Sequence, residues 1–151
     1  MRQRKITIWH IFFILYCAVM LWLLFDRTGY DPSLPYLEQL RYSLAPFKTI
    51  RLFIKMLISS ITVNRMQAII NLGGNVIMFI PLGFFLPKLW QKQRKFRRTL
   101  LTTAGIIILV ELTQMFTLLG TCDIDDLILN VTGAAIGYGF YKIITKRGLS
   151  K

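Results

Sequence analysis

The sequence predicts an all-α membrane protein: a bundle of four transmembrane helices with an amphipathic interfacial helix in the first outer loop. Three observations predict this fold class. Of the 151 residues, 54% are hydrophobic and only 17% are charged, and the mean hydropathy is +0.52. A soluble domain carries about a quarter charged residues, and the apolar residues here are gathered in four long runs. These values disfavour a soluble enzyme with a single core, and they exclude a disordered chain.

The four apolar runs have the length of membrane-spanning helices. A helix needs about 20 mainly apolar residues to cross the hydrocarbon core of a bilayer. The segments that meet this requirement are about 6–25, 69–90, 99–119 and 127–144. The third contains one charged residue, Glu111, and the only charge of the fourth, Lys142, lies near its end. We therefore treat residues 1–151 as a single membrane domain.

The positions of the basic residues explain the net charge of +12. Most of the 19 basic residues flank the predicted helices on the side to which even-numbered crossings return: Arg2, Arg4, Lys5, Lys88, Lys92, Arg94, Lys95, Arg97, Arg98, Lys142, Lys146, Arg147 and Lys151. The positive-inside rule then predicts a multi-pass protein of the cell membrane with both termini cytoplasmic. Because topology accounts for the charge, no nucleic acid is expected as a partner.

The first outer loop contains a predicted amphipathic helix over about 47–61. Lys48, Arg51 and Lys55 share one face of this helix. The opposite face is apolar and consists of Ile50, Ile54, Leu57, Ile58 and Ile61. This pattern is typical of a helix that lies in the membrane interface. Two interpretations stay open, since the cations could simply be solvated or could bind an anionic lipid or a cell-wall phosphate.

Polar residues within the spans are expected at one depth, in the outer leaflet. They form three pairs on helix faces plus two loop aspartates: Asn71 with Asn75, Glu111 with Gln114, Asp126 with Asn130, and Asp123 and Asp125 beside them. One interpretation is a polar clamp that locks the bundle by side-chain hydrogen bonds. The other is a ligand-binding site, because a carboxylate inside a membrane costs several kcal/mol unless it is protonated, paired or hydrated. Candidate counter-ions are Arg65 and the cations of the interfacial helix.

Glycine and proline residues predict how the helices pack. Close helix approach is expected at Gly73, Gly74 and Gly83, and at the GxxxG pair Gly133 and Gly137. Pro81 lies inside the second span and predicts a kink or a break there. Cys17 and Cys122 have no metal-binding spacing, so neither a metal nor another cofactor is expected.

Several of these residues together resemble a known signature. The run Asn71-x-x-x-Asn75-x-x-x-Phe79-x-Pro81-x-Gly83 resembles that of the VanZ-like membrane proteins of bacteria. So do Glu111-x-x-Gln114, the run from Asp123 to Gly137, and Pro46-Phe47-Lys48-Thr49-Ile50. In the right order, they cover about residues 45–140. The resemblance implies a polytopic membrane protein, and the namesake of the family is associated with low-level resistance to the glycopeptide antibiotic teicoplanin. It implies no reaction, cofactor or catalytic residue.

We therefore expect a non-enzymatic protein of the cell envelope that lowers susceptibility to teicoplanin. The polar residues and the basic helix would engage an amphiphile, either an envelope lipid or the acyl chain of the antibiotic, with membrane lipids as the general partners. One alternative is a membrane-embedded enzyme acting on an envelope lipid, in which the acidic residues serve as acid–base groups or bind a divalent cation. Another is a small transporter or flippase subunit, for which four helices would need homo-oligomerisation.

Overall fold

The computed structural model describes residues 8–25 and 31–149. Their elements are α1 (Ile8–Phe25), β1 (Tyr42–Ser43), α2 (Lys48–Leu57), α3 (Thr62–Leu89), α4 (Phe96–Phe116), β2 (Cys122–Asp123) and α5 (Ile124–Leu149), with short 3-10 turns at Tyr36–Gln39 and Gln91–Arg94. Among these residues, four helices are long and apolar enough to cross a membrane, namely all but α2. The predicted all-α membrane fold is confirmed.

Two helix boundaries differ from those that hydropathy predicts. The interfacial helix ends at Leu57, and α3 begins at Thr62, seven residues before the predicted span. Ser59 lies in the break, and its hydroxyl oxygen accepts a hydrogen bond from the amide N–H of Ile61 at 3.2 Å. Serine side chains that bond to nearby backbone groups compete with helix formation. Hydropathy detects only the apolar part of a helix. It missed the start of α3 because the first turn of this helix is polar.

Glycine residues bring α3 and α5 into backbone contact. A Cβ atom on Gly133 would overlap the carbonyl group of Val76, and one on Gly137 would overlap that of Ile80. Small residues allow helices to approach this closely in a membrane. The prediction for this GxxxG pair is therefore confirmed. Gly83 makes the reciprocal contact with the backbone of Ala134.

The same expectation is wrong for the first glycine pair of α3. Cβ atoms built on Gly73 and Gly74 would meet nothing within 4 Å. These residues lie within one turn of Val76, which Gly133 contacts, but their own Cβ positions face open space. The helix also runs without a break through Pro81, so the alternative of a broken helix at this residue is excluded.

Aromatic and polar contacts fix α1 against the rest of the bundle. The Tyr16 hydroxyl donates a hydrogen bond to the Met78 carbonyl oxygen at 2.9 Å. The ring of Phe13 packs edge-on against that of Trp90, with centroids 5.3 Å apart. The buried apolar core lies between α1, α3 and α4 and consists of Met20, Phe79, Leu82, Leu86 and Ile107.

One end of the bundle is strongly basic, and we call it the basic end. The Lys88 ammonium lies 4.9 Å from the ring centroid of Trp9, which places the end of α3 beside the start of α1. Lys92, Arg94 and Lys95 are exposed in the loop between α3 and α4, and Arg97 and Arg98 are exposed in the first turn of α4. The predicted flanking charges at Arg2, Arg4, Lys5 and Lys151 lie outside the described residues, as do the side chains of Lys146 and Arg147. The opposite end, which holds β1 and β2, is called the polar end.

Candidate functional site

A cavity of about 270 Å³ lies at the polar end. Seven of the eight predicted site residues line it: Asn71, Asn75, Glu111, Gln114, Asp123, Asp126 and Asn130. The remaining wall comes from Leu24, Thr49, Phe53, Gly120 and Thr121. Three helices contribute because each of them carries polar residues three or four positions apart, which share one helix face.

The cavity wall is rich in hydrogen-bond acceptors. Glu111 is 6% exposed, and its Oε2 accepts a hydrogen bond from the amide N–H of Asp123 at 2.9 Å. The Asn75 carboxamide donates to Asp126 Oδ1 at 2.5 Å. Asn130 is 4% exposed, and its buried Oδ1 accepts no hydrogen bond from the described residues. A buried acceptor of this kind is costly unless some donor reaches it.

The two outermost amides make different contacts. The Gln114 carboxamide donates a hydrogen bond to the carbonyl oxygen of Leu24 at 2.7 Å and so joins α4 to the end of α1. The Asn71 carboxamide instead donates to the Gln67 carbonyl oxygen at 2.8 Å, one turn earlier in its own helix. Asn71 therefore borders the cavity without bonding across it through its amide N–H groups.

Asp125 lies outside the cavity and caps α2. It is fully buried, and its carboxylate accepts hydrogen bonds from the amide N–H groups of Phe47 at 2.5 Å, Thr49 at 2.7 Å and Ile50 at 3.0 Å. The first amides of a helix have no partners within it. Here the Asp125 carboxylate of α5 accepts their hydrogen bonds. Its negative charge also interacts favourably with the positive end of the α2 dipole.

The Asp125 cap compensates for a poor N-cap residue in α2, which is already visible in the sequence. The N-cap position is Phe47, which has a positive φ of 63° and no side chain able to accept a hydrogen bond. Ser, Thr, Asp and Asn are the usual residues at this position. Sequence analysis overlooked this signal. An amphipathic helix without a capping residue of its own indicates that an acceptor from another part of the chain bonds to its first amide N–H groups.

Asp123 connects the cap to the cavity. Its Oδ1 accepts from the amide N–H of Asp125 at 2.9 Å, and its Oδ2 accepts from the Thr49 hydroxyl at 2.6 Å. Its backbone belongs to β2, which pairs in parallel with β1. The amide N–H of Cys122 also donates to the Arg41 carbonyl oxygen at 3.1 Å. This short pairing, which the sequence did not predict, holds the first loop over the polar end.

A protein-family model for VanZ/LLP1 matches residues 13–145. The chain belongs to the VanZ/LLP1 family. Membership suggests a membrane protein linked to glycopeptide resistance. No curated protein and no solved structure matches the chain.

The basic face of α2 lies next to the cavity in this VanZ/LLP1 protein. Lys48, Arg51 and Lys55 are all exposed and border a surface groove of about 490 Å³. Thr49 lines both this groove and the polar cavity. On the apolar face of α2, Ile54 is 51% exposed. A helix with cations on one face and unburied apolar residues on another suits the membrane interface.

A second, apolar pocket of about 260 Å³ opens between α1, α3 and α4 of the VanZ/LLP1 fold. Its walls include Met20 and Leu24 from α1, Phe79 and Leu82 from α3, and Val110 from α4. Leu24 lines this pocket and the polar cavity alike. Hydropathy and helical spacing did not predict this pocket, because it depends on how α1 packs.

The electrostatics of the polar end also act on Cys122 in the loop of this VanZ/LLP1 chain. Partial burial raises the pKa of the Cys122 thiol, and the neighbouring carboxylates of Glu111 and Asp123 raise this pKa further. Both causes disfavour the thiolate. Within residues 8–25 and 31–149, no group of three or more His, Cys, Asp or Glu residues could hold a metal ion.

Proposed function

We propose that this protein resides in the cell membrane and confers low-level resistance to teicoplanin by binding an amphiphile without chemical turnover. The proposed binding residues are the lining residues Asn71, Asn75, Glu111, Gln114, Asp123, Asp126 and Asn130. Asp125, also a candidate from the sequence, has a supporting role as the cap of α2. The observation that carries the proposal is the polar cavity itself, with three carboxylates and four carboxamides around open space.

The cavity favours ligand binding over a purely structural clamp. Polar side chains in a membrane interior are expensive, and by default they indicate function. In a clamp, the side chains would be expected to fill the space between the helices and satisfy one another. Here open space remains between them, and Asn130 Oδ1 has no donor among the described residues. A bound molecule with hydrogen-bond donors would supply one.

The proposal places the polar end at the outer leaflet, where a glycopeptide antibiotic or an envelope lipid arrives. The clustered Lys and Arg residues of the basic end support this orientation, since such clusters stay in the cytoplasm. Both chain termini would then be cytoplasmic. Lys48, Arg51 and Lys55 would lie in the outer interface and contact the phosphate of an anionic lipid.

Alanine substitutions test this function. E111A, D126A and N75A each remove a side chain from the cavity wall, so each is expected to lower the minimal inhibitory concentration of teicoplanin to that of cells without the protein. T132A is the matched control, because Thr132 is exposed on α5 and its hydroxyl bonds only to Ile128 of its own helix. Unchanged resistance in all three cavity variants, at normal membrane levels, would refute the site.

A lipid-turnover measurement separates this function from the enzyme alternative. The purified protein is incubated with envelope lipids, with and without Mg²⁺, and the products are analysed by mass spectrometry. Binding without turnover predicts unchanged lipids in both conditions. Product formation that E111A abolishes would instead identify an enzyme that acts at the same cavity.

A further inference from the structure

The polar cavity and the apolar pocket adjoin at one residue. Leu24, at the end of α1, lines both of them. Its carbonyl oxygen accepts the hydrogen bond from Gln114, which itself lines the polar cavity. The two spaces are therefore neighbours along α1 and α4, with the polar space at the polar end and the apolar space toward the middle of the bundle.

We propose that these two spaces form one binding site for an acylated sugar, with the fatty acyl chain in the apolar pocket and the sugar in the polar cavity. This inference rests on the proposed function and adds the chemical class of the ligand. An amphiphile of this class has its apolar and polar parts in the order in which the protein presents the two spaces.

The apolar pocket fits an acyl chain because its lining is almost entirely apolar. Its least apolar members are Cys17 and Tyr16. The wall is formed chiefly by Met20, Leu24, Phe79, Leu82 and Val110. The Tyr16 hydroxyl is already used in a hydrogen bond to the Met78 carbonyl oxygen. No charged residue lines the pocket, so an apolar chain would bury its surface there without displacing a polar partner.

The polar cavity fits a sugar better than a phosphate head. No Lys or Arg lines the cavity, whereas Glu111, Asp123 and Asp126 do. Carboxylates repel a phosphate but accept hydrogen bonds from hydroxyl and amino groups. The buried Oδ1 of Asn130 is a further acceptor. A sugar or amino sugar has donors of both kinds, and it carries no negative charge.

An acylated sugar could come from an envelope glycolipid or from a lipoglycopeptide antibiotic. Photo-crosslinking in nanodiscs distinguishes these sources. Three probes with the same photoreactive acyl chain are compared: a glucosyl diacylglycerol, teicoplanin and phosphatidylglycerol. We expect labelling of α1 and α4 residues of the apolar pocket by one or both sugar-bearing probes. Equal labelling by phosphatidylglycerol would contradict the inference, because the pocket would then hold any lipid tail.

A pair of adjacent substitutions tests the pocket itself. V110F adds a ring that fills the pocket, whereas L109F adds the same ring at a neighbouring position that is 66% exposed outside it. We expect V110F to lower labelling by the sugar-bearing probes about tenfold, as for a loss of about 1.4 kcal/mol of binding. L109F should label as the native protein does.

The outcomes distinguish the two proposals. If V110F labels and protects like L109F while N75A loses protection, the acyl site is wrong and the proposed function stands. If V110F loses labelling but N75A, E111A and D126A all still protect, the protein binds an acylated sugar and the proposed function fails. Near-native circular dichroism of V110F in detergent excludes misfolding as the cause of lost labelling.

Discussion

The three aspartates of the loop before and at the start of α5 differ in role although they lie within four residues. Asp125 is fully buried and serves the backbone of α2. Asp123 bridges that cap to the cavity, and Asp126 bonds to Asn75 across the cavity. The sequence predicted that acidic residues would gather here, since all three lie at one helix end. It could not assign their roles, because the donors to Asp125 are more than 70 residues away along the chain.

The cap makes Asp125 the residue whose loss should most affect stability. D125A leaves three amide N–H groups of α2 without their acceptor, so we expect it to lower the free energy of unfolding by about 3 kcal/mol. D125N keeps one acceptor oxygen, and we expect about half that loss. Unfolding by SDS titration, followed by circular dichroism, measures both. T132A, an exposed change on the same helix, should stay within about 0.5 kcal/mol of the native protein, and a similar result for D125A would contradict the role of the cap.

The pKa of Cys122 gives a second prediction at this scale. The thiolate is the reactive form, and burial and the nearby carboxylates raise this pKa. In a C17S background, Cys122 should therefore react with a maleimide more slowly at neutral pH than a free cysteine does. Its rate should rise only at higher pH. E111Q removes one negative charge and should move the pH profile toward lower pH, whereas a profile like that of free cysteine in both proteins would contradict the assigned environment.

At the scale of elements, the site depends on two close helix contacts. The backbone contacts at Gly133 and Gly137 set the spacing of α3 and α5, and the cap of Asp125 fixes α2 beside them. The first of these was predictable, because a GxxxG pair indicates close packing within one helix pair. The prediction of close packing is wrong at Gly73 and Gly74. A glycine allows a close helix contact, but the contact forms only where another helix lies opposite it.

Alanine substitutions at two glycines of α5 test this packing. G133A places a methyl group against the Val76 carbonyl, so the helices must separate, and we expect a loss of about 2 to 3 kcal/mol in unfolding free energy. G139A places the same group in open space, where it should be neutral or stabilise the helix by about 0.5 to 1 kcal/mol. SDS unfolding of the two variants measures the difference, and equal stabilities would contradict the close contact.

At the scale of the whole molecule, the chain separates its charges along the bundle. The exposed Lys and Arg residues from Lys92 to Arg98 lie at the basic end, whereas Glu111, Asp123, Asp125 and Asp126 lie toward the polar end. The cations of α2 are the exception, because they lie beside the polar cavity. Hydropathy, helical spacing and charge position predicted the four spans and the convergence of the polar residues. They could not predict the β1–β2 pairing or the apolar pocket, because these depend on how the first loop and α1 fold back onto the bundle.

The central claim is that the polar cavity binds an amphiphile, and direct binding tests it most simply. The affinity of teicoplanin for the protein in nanodiscs is measured for the native chain and for E111Q, which keeps the shape of the side chain but removes its charge. Loss of a hydrogen bond to a charged group predicts binding about tenfold weaker in E111Q. The T132A control should bind as the native protein does. Equal affinity of the native protein and E111Q would contradict the claim, and so would a native protein that binds neither teicoplanin nor a glucosyl diacylglycerol.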